Sequence, residues 1–273
     1  MPAFFIKPSE RTRDIAILKI CNDKLSQTRS YRTMQELLSP IEFENLLRQQ
    51  HHRYHHLHPF HQRMNAGELT PEEVQRWVIN RFYYQRNIPL KDAAILSNCS
   101  DREVRREWIQ RIIDHDGRNI DRDGRGAEAG GIEAWLRLGE AVGLSRDRLL
   151  DDANVLPGVR YAVDAYVNFC KTKPWIEAIA SSLTELFGPD AIRDRLVALE
   201  KYYSWIAPSG FDYFRVRLHQ APQDARYALK LVVQNCQTVE MQQKAVRALI
   251  FKCDLLWSQL EAIERGDTRP SET

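Results

Sequence analysis

An all-α fold is predicted by three observations. Helix-start chemistry recurs: Ser39-Pro40-Ile41-Glu42 and Thr70-Pro71-Glu72-Glu73 each set a hydroxyl at the N-cap, proline at the first helical position and glutamate at the third. Those groups satisfy backbone N–H donors that have no partner in a first helical turn. Apolar residues then return at three- and four-residue steps, as in Val74, Trp77 and Val78, or in Leu249, Cys253, Leu256, Leu260 and Ile263. Period-two apolar runs bounded by turn pairs, the mark of strands, are missing.

Taken in order, the elements make one domain of about seven helices over roughly residues 39 to 264. Helices follow the boxes at Ser39 and Thr70, and Ser100-Asp101-Arg102-Glu103 repeats the box without proline. Pro157-Gly158, Gly188-Pro189 and Pro208-Ser209-Gly210 mark later breaks. Residues 1–38 precede the first cap and are expected to be a peripheral extension, and residues 265–273 a short tail. Residues 117–131 are rich in Gly, Arg and Asp. Asp121, Asp123 and Gly124 match the opening of a calcium loop in spacing, but the bidentate glutamate that ends such a loop is out of register, so a plain loop is expected.

With 43% apolar residues in 273, the chain can bury a sizeable core. The net charge of +2 is spread without blocks of one sign, which argues against a nucleic-acid partner. Five separated cysteines without C-x-x-C spacing suit reduced thiols in the cytoplasm. No apolar run approaches the ~18 residues of a membrane span, and Ala3-Phe4-Phe5-Ile6 is too short for a signal-peptide core, so a soluble, unexported protein is expected.

The informative anomaly is polar residues on apolar stripes. The face of Val74, Trp77 and Val78 runs on into Arg81 and Gln85, and that of Val104, Trp108 and Ile112 carries Arg111 and His115. Tyr166 lies beside Ala162 and Val163, and Lys252 beside Leu249 and Leu256. Singly, such an arginine or lysine usually reaches solvent from a rim, and such a histidine or tyrosine is usually a hydrogen-bonded core residue. Jointly, inward cations on several helices imply an anionic ligand or internal carboxylates between them, because an unpaired buried charge is costly. A second cluster holds His51, His52, His55, His56, His58 and His61. The pairs 51/55 and 52/56 each set two imidazoles at helical spacing, but no nearby acid completes a zinc set, and no metal site is expected.

At these positions the sequence resembles a known family. Tyr54-His55, Arg81-Phe82-Tyr83-Tyr84-Gln85, Ile88-Pro89-Leu90-Lys91-Asp92-Ala93-Ala94, Arg111-Ile112-Ile113-Asp114-His115-Asp116-Gly117, Gly130-Gly131-Ile132-Glu133-Ala134-Trp135, Ser181-Ser182-Leu183-Thr184-Glu185-Leu186-Phe187 and Phe251-Lys252-Cys253-Asp254 look like the pyrroloquinoline-quinone (PQQ) synthases, in order from Leu38 to Ile263. The resemblance implies a heme-oxygenase-like bundle, a homodimer, and an oxidase that works without heme, metal or organic cofactor. Its substrate would be the late intermediate AHQQ, closed to a new ring by its amino group and oxidised by O2 to PQQ with release of hydrogen peroxide.

The resemblance also carries roles. Tyr54, His55, Arg81, Gln85, Lys91, Arg111, Thr184 and Lys252 match substrate-binding positions, the cations suiting a substrate with several carboxylates. His115, Tyr166, Tyr213 and Arg217 match catalytic positions, with Tyr213 and Arg217 four residues apart on one helical face. One departure is Ile192, which stands where some members carry a histidine, so one proposed proton carrier is absent. The loop near residue 120 is longer than its family counterpart and the N-terminal arm looks added. Two other functions compete: a di-iron oxygenase on the same scaffold, disfavoured because Tyr213 and Arg217 stand where iron ligands would be sought, and a non-catalytic quinone carrier, for which Ile192 speaks.

Overall fold

The computed structural model describes residues 35–118 and 129–266. Cys21, Met34 and most of the N-terminal extension, Asp121, Asp123 and Gly124, and all but the first two residues of the tail lie outside the described residues. Among the described residues there are eleven α-helices, five 3₁₀ turns and no strand. The all-α expectation holds. The helix count exceeds seven because several helices, such as those at Arg146–Leu150 and Trp175–Ser181, are too short to show a second apolar period.

The capping boxes at Ser39 and Thr70 form as read, with Glu42 and Glu73 reaching back to the cap backbone, and they open α1 (Pro40–Arg48) and α3 (Pro71–Asn98). Between them lie two 3₁₀ turns and α2 (Pro59–Ala66). The third box is shifted by one residue: Asp101, not Ser100, caps α4 (Arg102–Asp116), accepting from the backbone of Glu103 and Val104. A carboxylate at the N-cap satisfies the same donors with charge favourable to the helix dipole. Then follow α5 (Gly130–Ala141), α6 (Arg146–Leu150), α7 (Pro157–Thr172), α8 (Trp175–Ser181), α9 (Gly188–Tyr202), α10 (Asp212–Asn235) and α11 (Val239–Arg265). The predicted Gly/Pro breaks open α7 and α9 and a 3₁₀ turn at Pro208–Phe211. The first described helix begins at Pro40, and Leu38 is already docked on the bundle, exchanging two hydrogen bonds with the Gln242 side chain.

The long helix α3 organises the bundle, packing along α4 and α7, while α11 packs along α7 and α8 and α10 against α9. Two apolar cores result. One gathers Trp77, Phe82, Trp135 and Phe214; the other gathers Phe43, Trp108, Ile179 and Leu249. A third, small group joins Tyr54, Ala191 and Leu256. Tyr84 packs against all three, so the seam between them runs past the middle of α3. Pro89 sits inside α3. Lacking an N–H, it leaves the Gln85 carbonyl one turn earlier without its helical partner, at that same seam. Among the described residues no helix is long and apolar enough to cross a membrane. Cys99, Cys170, Cys236 and Cys253 are buried free thiols.

Candidate active site

A cavity opens at the seam, and its wall holds ten of the twelve residues singled out above: Tyr54, Arg81, Gln85, Lys91, Arg111, His115, Tyr166, Thr184, Tyr213 and Arg217. They come from α3, α4, α7, α10 and the turns around Tyr54 and Thr184, so the site exists only in the folded bundle. The other two stand one layer back. Lys252 lies against the Tyr84 and Tyr166 rings, and His55 packs behind the Tyr54 ring. The histidine pairs expected at helical spacing are not on one face, because two 3₁₀ turns meet at the extended residue Tyr54. Instead His55 and His61 turn inward: His61 donates through Nδ1 to the His55 carbonyl at 3.0 Å and accepts through Nε2 from Arg195 at 3.1 Å. Among the described residues no three His, Cys, Asp or Glu side chains group as metal ligands.

The two ends of the cavity differ in charge balance. At one end Arg111 is spanned by carboxylates: Glu185 accepts both Nη groups at 2.9 and 2.5 Å, Asp224 lies at 3.0 Å and Asp92 at 3.5 Å. Arg217 shares Asp224 at 3.2 Å, and Lys91 holds Asp92 at 2.6 Å and Ser182 at 3.1 Å. At the other end Arg81 in the wall, and Arg195 and Lys252 behind it, have no carboxylate partner among the described residues. Arg81 donates to Gln259 at 3.2 Å and stacks on Tyr84, and the Nε of Arg195 and Nζ of Lys252 are buried without hydrogen-bond partners. Internal carboxylates, one of the two alternatives left open by the stripes, are found at the first end, and basic side chains without them remain at the other.

The cavity measures about 80 Å³, the share of two or three waters at ~30 Å³ each. Pockets that hold drug-sized ligands measure ~300 Å³ or more, so this cavity is small for such a ligand. A larger cavity of about 540 Å³ also has Tyr213 and Arg217 in its lining.

Residues 45–262 match the TENA/THI-4/PQQC family. The chain belongs to this family. It is 55% identical over 236 residues to a pyrroloquinoline-quinone synthase of Cronobacter sakazakii, covering 86% of this chain and 91% of the relative. A synthase of the same name from Pseudomonas syringae pv. tomato is 56% identical over 226 residues, covering 83% and 87%. Among solved structures, a domain of unknown function with a heme oxygenase-like fold from Shewanella denitrificans superposes with a TM-score of 0.68 at 13% identity, over 84% of this chain and 94% of that one. A TenA homologue from P. horikoshii gives 0.65 at 13% identity, over 84% and 100%. At that identity the likeness speaks for the fold, and the bundle of this TENA/THI-4/PQQC member is heme-oxygenase-like.

In this family member the state of His115 is fixed by its neighbours. Its Nδ1–H donates to the Arg111 carbonyl at 2.8 Å, so Nε2 carries the lone pair, and Nε2 is buried without a partner. Burial, with Arg217 adding to it, pushes the imidazole down to about 3. It therefore stays neutral in mild acid, where an ordinary histidine takes up a proton. Tyr213 donates to Gln85 Oε1 at 2.9 Å, and burial raises its phenol. Burial raises Tyr166 too, well above the usual range. Glu185 is held down to about 2: burial opposes ionisation, but Arg111 outweighs it.

The start of α5 meets the end of α4 at a position that depends on glycine. Gly130 adopts φ +74°, and a Cβ there would fall 2.5 Å from the His115 carbonyl oxygen and the Gly117 nitrogen. Five site residues were not picked out from sequence: Tyr84, Asp92, Glu185, Arg195 and Asp224. Arg195 had a legible signal, since Ala191, Arg195, Ala198 and Leu199 form a buried stripe on α9. Ile192 lines the cavity, so that part of the wall is apolar.

Proposed function

We propose that this chain is a pyrroloquinoline-quinone synthase, which cyclises and oxidises AHQQ to PQQ with O2 and releases hydrogen peroxide. The observation that carries the reading is the cavity's polarity: basic side chains without carboxylate partners at one end, Arg81 in the wall with Arg195 and Lys252 behind it, and an unprotonated His115 Nε2 beside Tyr213 and Arg217 at the other. A flat quinone bearing several carboxylates fits that distribution. Arg81, Arg195 and Lys252 take its carboxylates, and Gln85, Thr184 and the Tyr54 and Tyr166 hydroxyls orient its ring oxygens. His55 acts through Tyr54, whose ring it backs.

Arg111 receives a different emphasis. With Glu185, Asp224 and Asp92 already around it, it anchors the oxidising end and fixes His115 through its own carbonyl. His115 then accepts a proton from the ring as electrons leave for oxygen, and Arg217 stabilises the negative charge that develops on reduced oxygen. Approach of an anionic ring raises the basicity of His115 from its value in the empty cavity. The electrons pass from the substrate quinone system to O2, so the proposal needs no metal, heme or organic cofactor. A homodimer in the cytoplasm, without membrane or nucleic-acid partners, completes it; the buried free thiols accord with a reducing compartment.

The test is equilibrium titration of the purified protein with PQQ, read by quenching of tryptophan fluorescence. Saturable binding of one PQQ per chain is expected. A protein that ignores PQQ but consumes oxygen only after iron loading would instead be a di-iron oxygenase.

A further inference from the structure

Among the buried basic side chains around this cavity, Lys252 has the least support. It is 1% exposed, and its Nζ lies 3.3 Å from the Tyr166 ring centre and 4.2 Å from that of Tyr84. The two rings are parallel, their centres 6.5 Å apart, and Nζ has no hydrogen-bond partner. Compare its neighbours: Lys91 has Asp92 and Ser182, Arg111 has three carboxylates, and Arg81 has Gln259. An ammonium carries three donors that need acceptors, and tyrosine faces supply none. Their cation–π attraction is small beside the cost of an unpaired buried charge.

We propose that Lys252 stands as an uncharged amine in the empty cavity and takes up one proton when an anionic ligand arrives, coupling ligand capture to proton uptake. This rests on the reading of the cavity as a polycarboxylate site.

The surroundings agree from every side. From α3, Arg81 and Lys91 face Lys252 and disfavour a further positive charge, and Tyr84 offers only its ring. From α7 come the Tyr166 ring and the Cys170 thiol, and from the turn after α8 comes Glu185, whose charge is already committed to Arg111. On α11 itself the neighbour is Cys253, its thiol pushed up to about 12 by burial. Burial drives the Lys252 amine well below the ordinary lysine range, Arg81 and Lys91 push the same way, and Cys170 and Glu185 oppose them. A ligand carboxylate brought against Nζ supplies both an acceptor and a counter-charge, which reverses the balance and draws a proton from solvent. Between the free and bound pKa values, affinity must then fall tenfold for each unit of pH rise.

Two measurements test this. NMR of the lysine side-chain methylene next to nitrogen, at mildly alkaline pH, should find Lys252 as an amine in the free protein and as an ammonium in the complex. Calorimetry in buffers of differing ionisation enthalpy should find one more proton taken up by the wild type than by Lys252→Met, whose affinity should lose the tenfold-per-unit dependence. PQQ and benzene tricarboxylate serve as separate probes. An ammonium in the free protein, or equal proton uptake by both proteins, overturns the inference. Binding of benzene tricarboxylate with Lys252-linked uptake, but no binding of PQQ, keeps the inference and removes the proposed substrate. PQQ binding without such uptake does the reverse, and a protein that binds neither loses both.

Discussion

Replacing Glu185 by glutamine removes one charge from the oxidising end while keeping its shape. In the folded protein this carboxyl is held at about 2 against an ordinary 4.5. At ~1.36 kcal/mol per unit, that gap corresponds to about 3 kcal/mol of stabilisation from the ionised form near neutral pH. Asp224 and Asp92 stay in place to hold Arg111, at 3.0 and 3.5 Å. The expected loss is therefore about 2 kcal/mol, below the ~3–5 kcal/mol of a fully orphaned buried charge. The sign with pH is fixed: a depressed carboxyl pKa contributes stability above its unfolded value and loses it as pH falls through the folded one. The gap between wild type and Glu185→Gln should thus close as pH drops from about 4.5 toward 2. Urea denaturation followed by far-ultraviolet circular dichroism at neutral and acid pH measures both. An unchanged midpoint at neutral pH, or a gap that widens in acid, would refute the carboxylate clamp.

Three other outcomes are expected. Arg81→Ala should weaken PQQ binding by about 1.5–3 kcal/mol, the scale of a charge-assisted contact, with helicity retained; isothermal calorimetry checks it. His115→Ala should slow quinone formation about 100-fold with intermediates accumulating, read by single-turnover spectroscopy under air, while PQQ still binds. His55, His61 and His115 are held neutral by burial, so the unfolded chain binds more protons and stability should fall as pH drops below about 6.5, by up to ~1.4 kcal/mol per unit for each imidazole; denaturant midpoints across mildly acid pH measure this.

Much of the fold was legible because capping chemistry is local: the hydroxyl, proline and glutamate at Ser39 and Thr70 act within one turn, and both boxes form. The stripes carrying Gln85, Arg111, His115, Tyr166 and Lys252 were legible for the same reason, since one helical period fixes which way a side chain points. Glu185 was not, because it sits in a five-residue 3₁₀ turn where the α-helical period does not apply. His51 to His56 misled for the matching reason, two short turns standing where one helix was read. Asp92 and Asp224 follow the spacing of Ile88 and Arg217 on their helices. Their significance appears only once α3, α4 and α10 are brought together around Arg111.

The central claim is that the cavity performs the oxidation as well as binding its product. Metal-stripped protein incubated with AHQQ under air, with the absorption spectrum recorded through several turnovers, tests it most directly. Appearance of the PQQ spectrum together with hydrogen peroxide is the predicted result, whereas AHQQ that binds and stays unchanged would make the chain a quinone carrier and contradict the account.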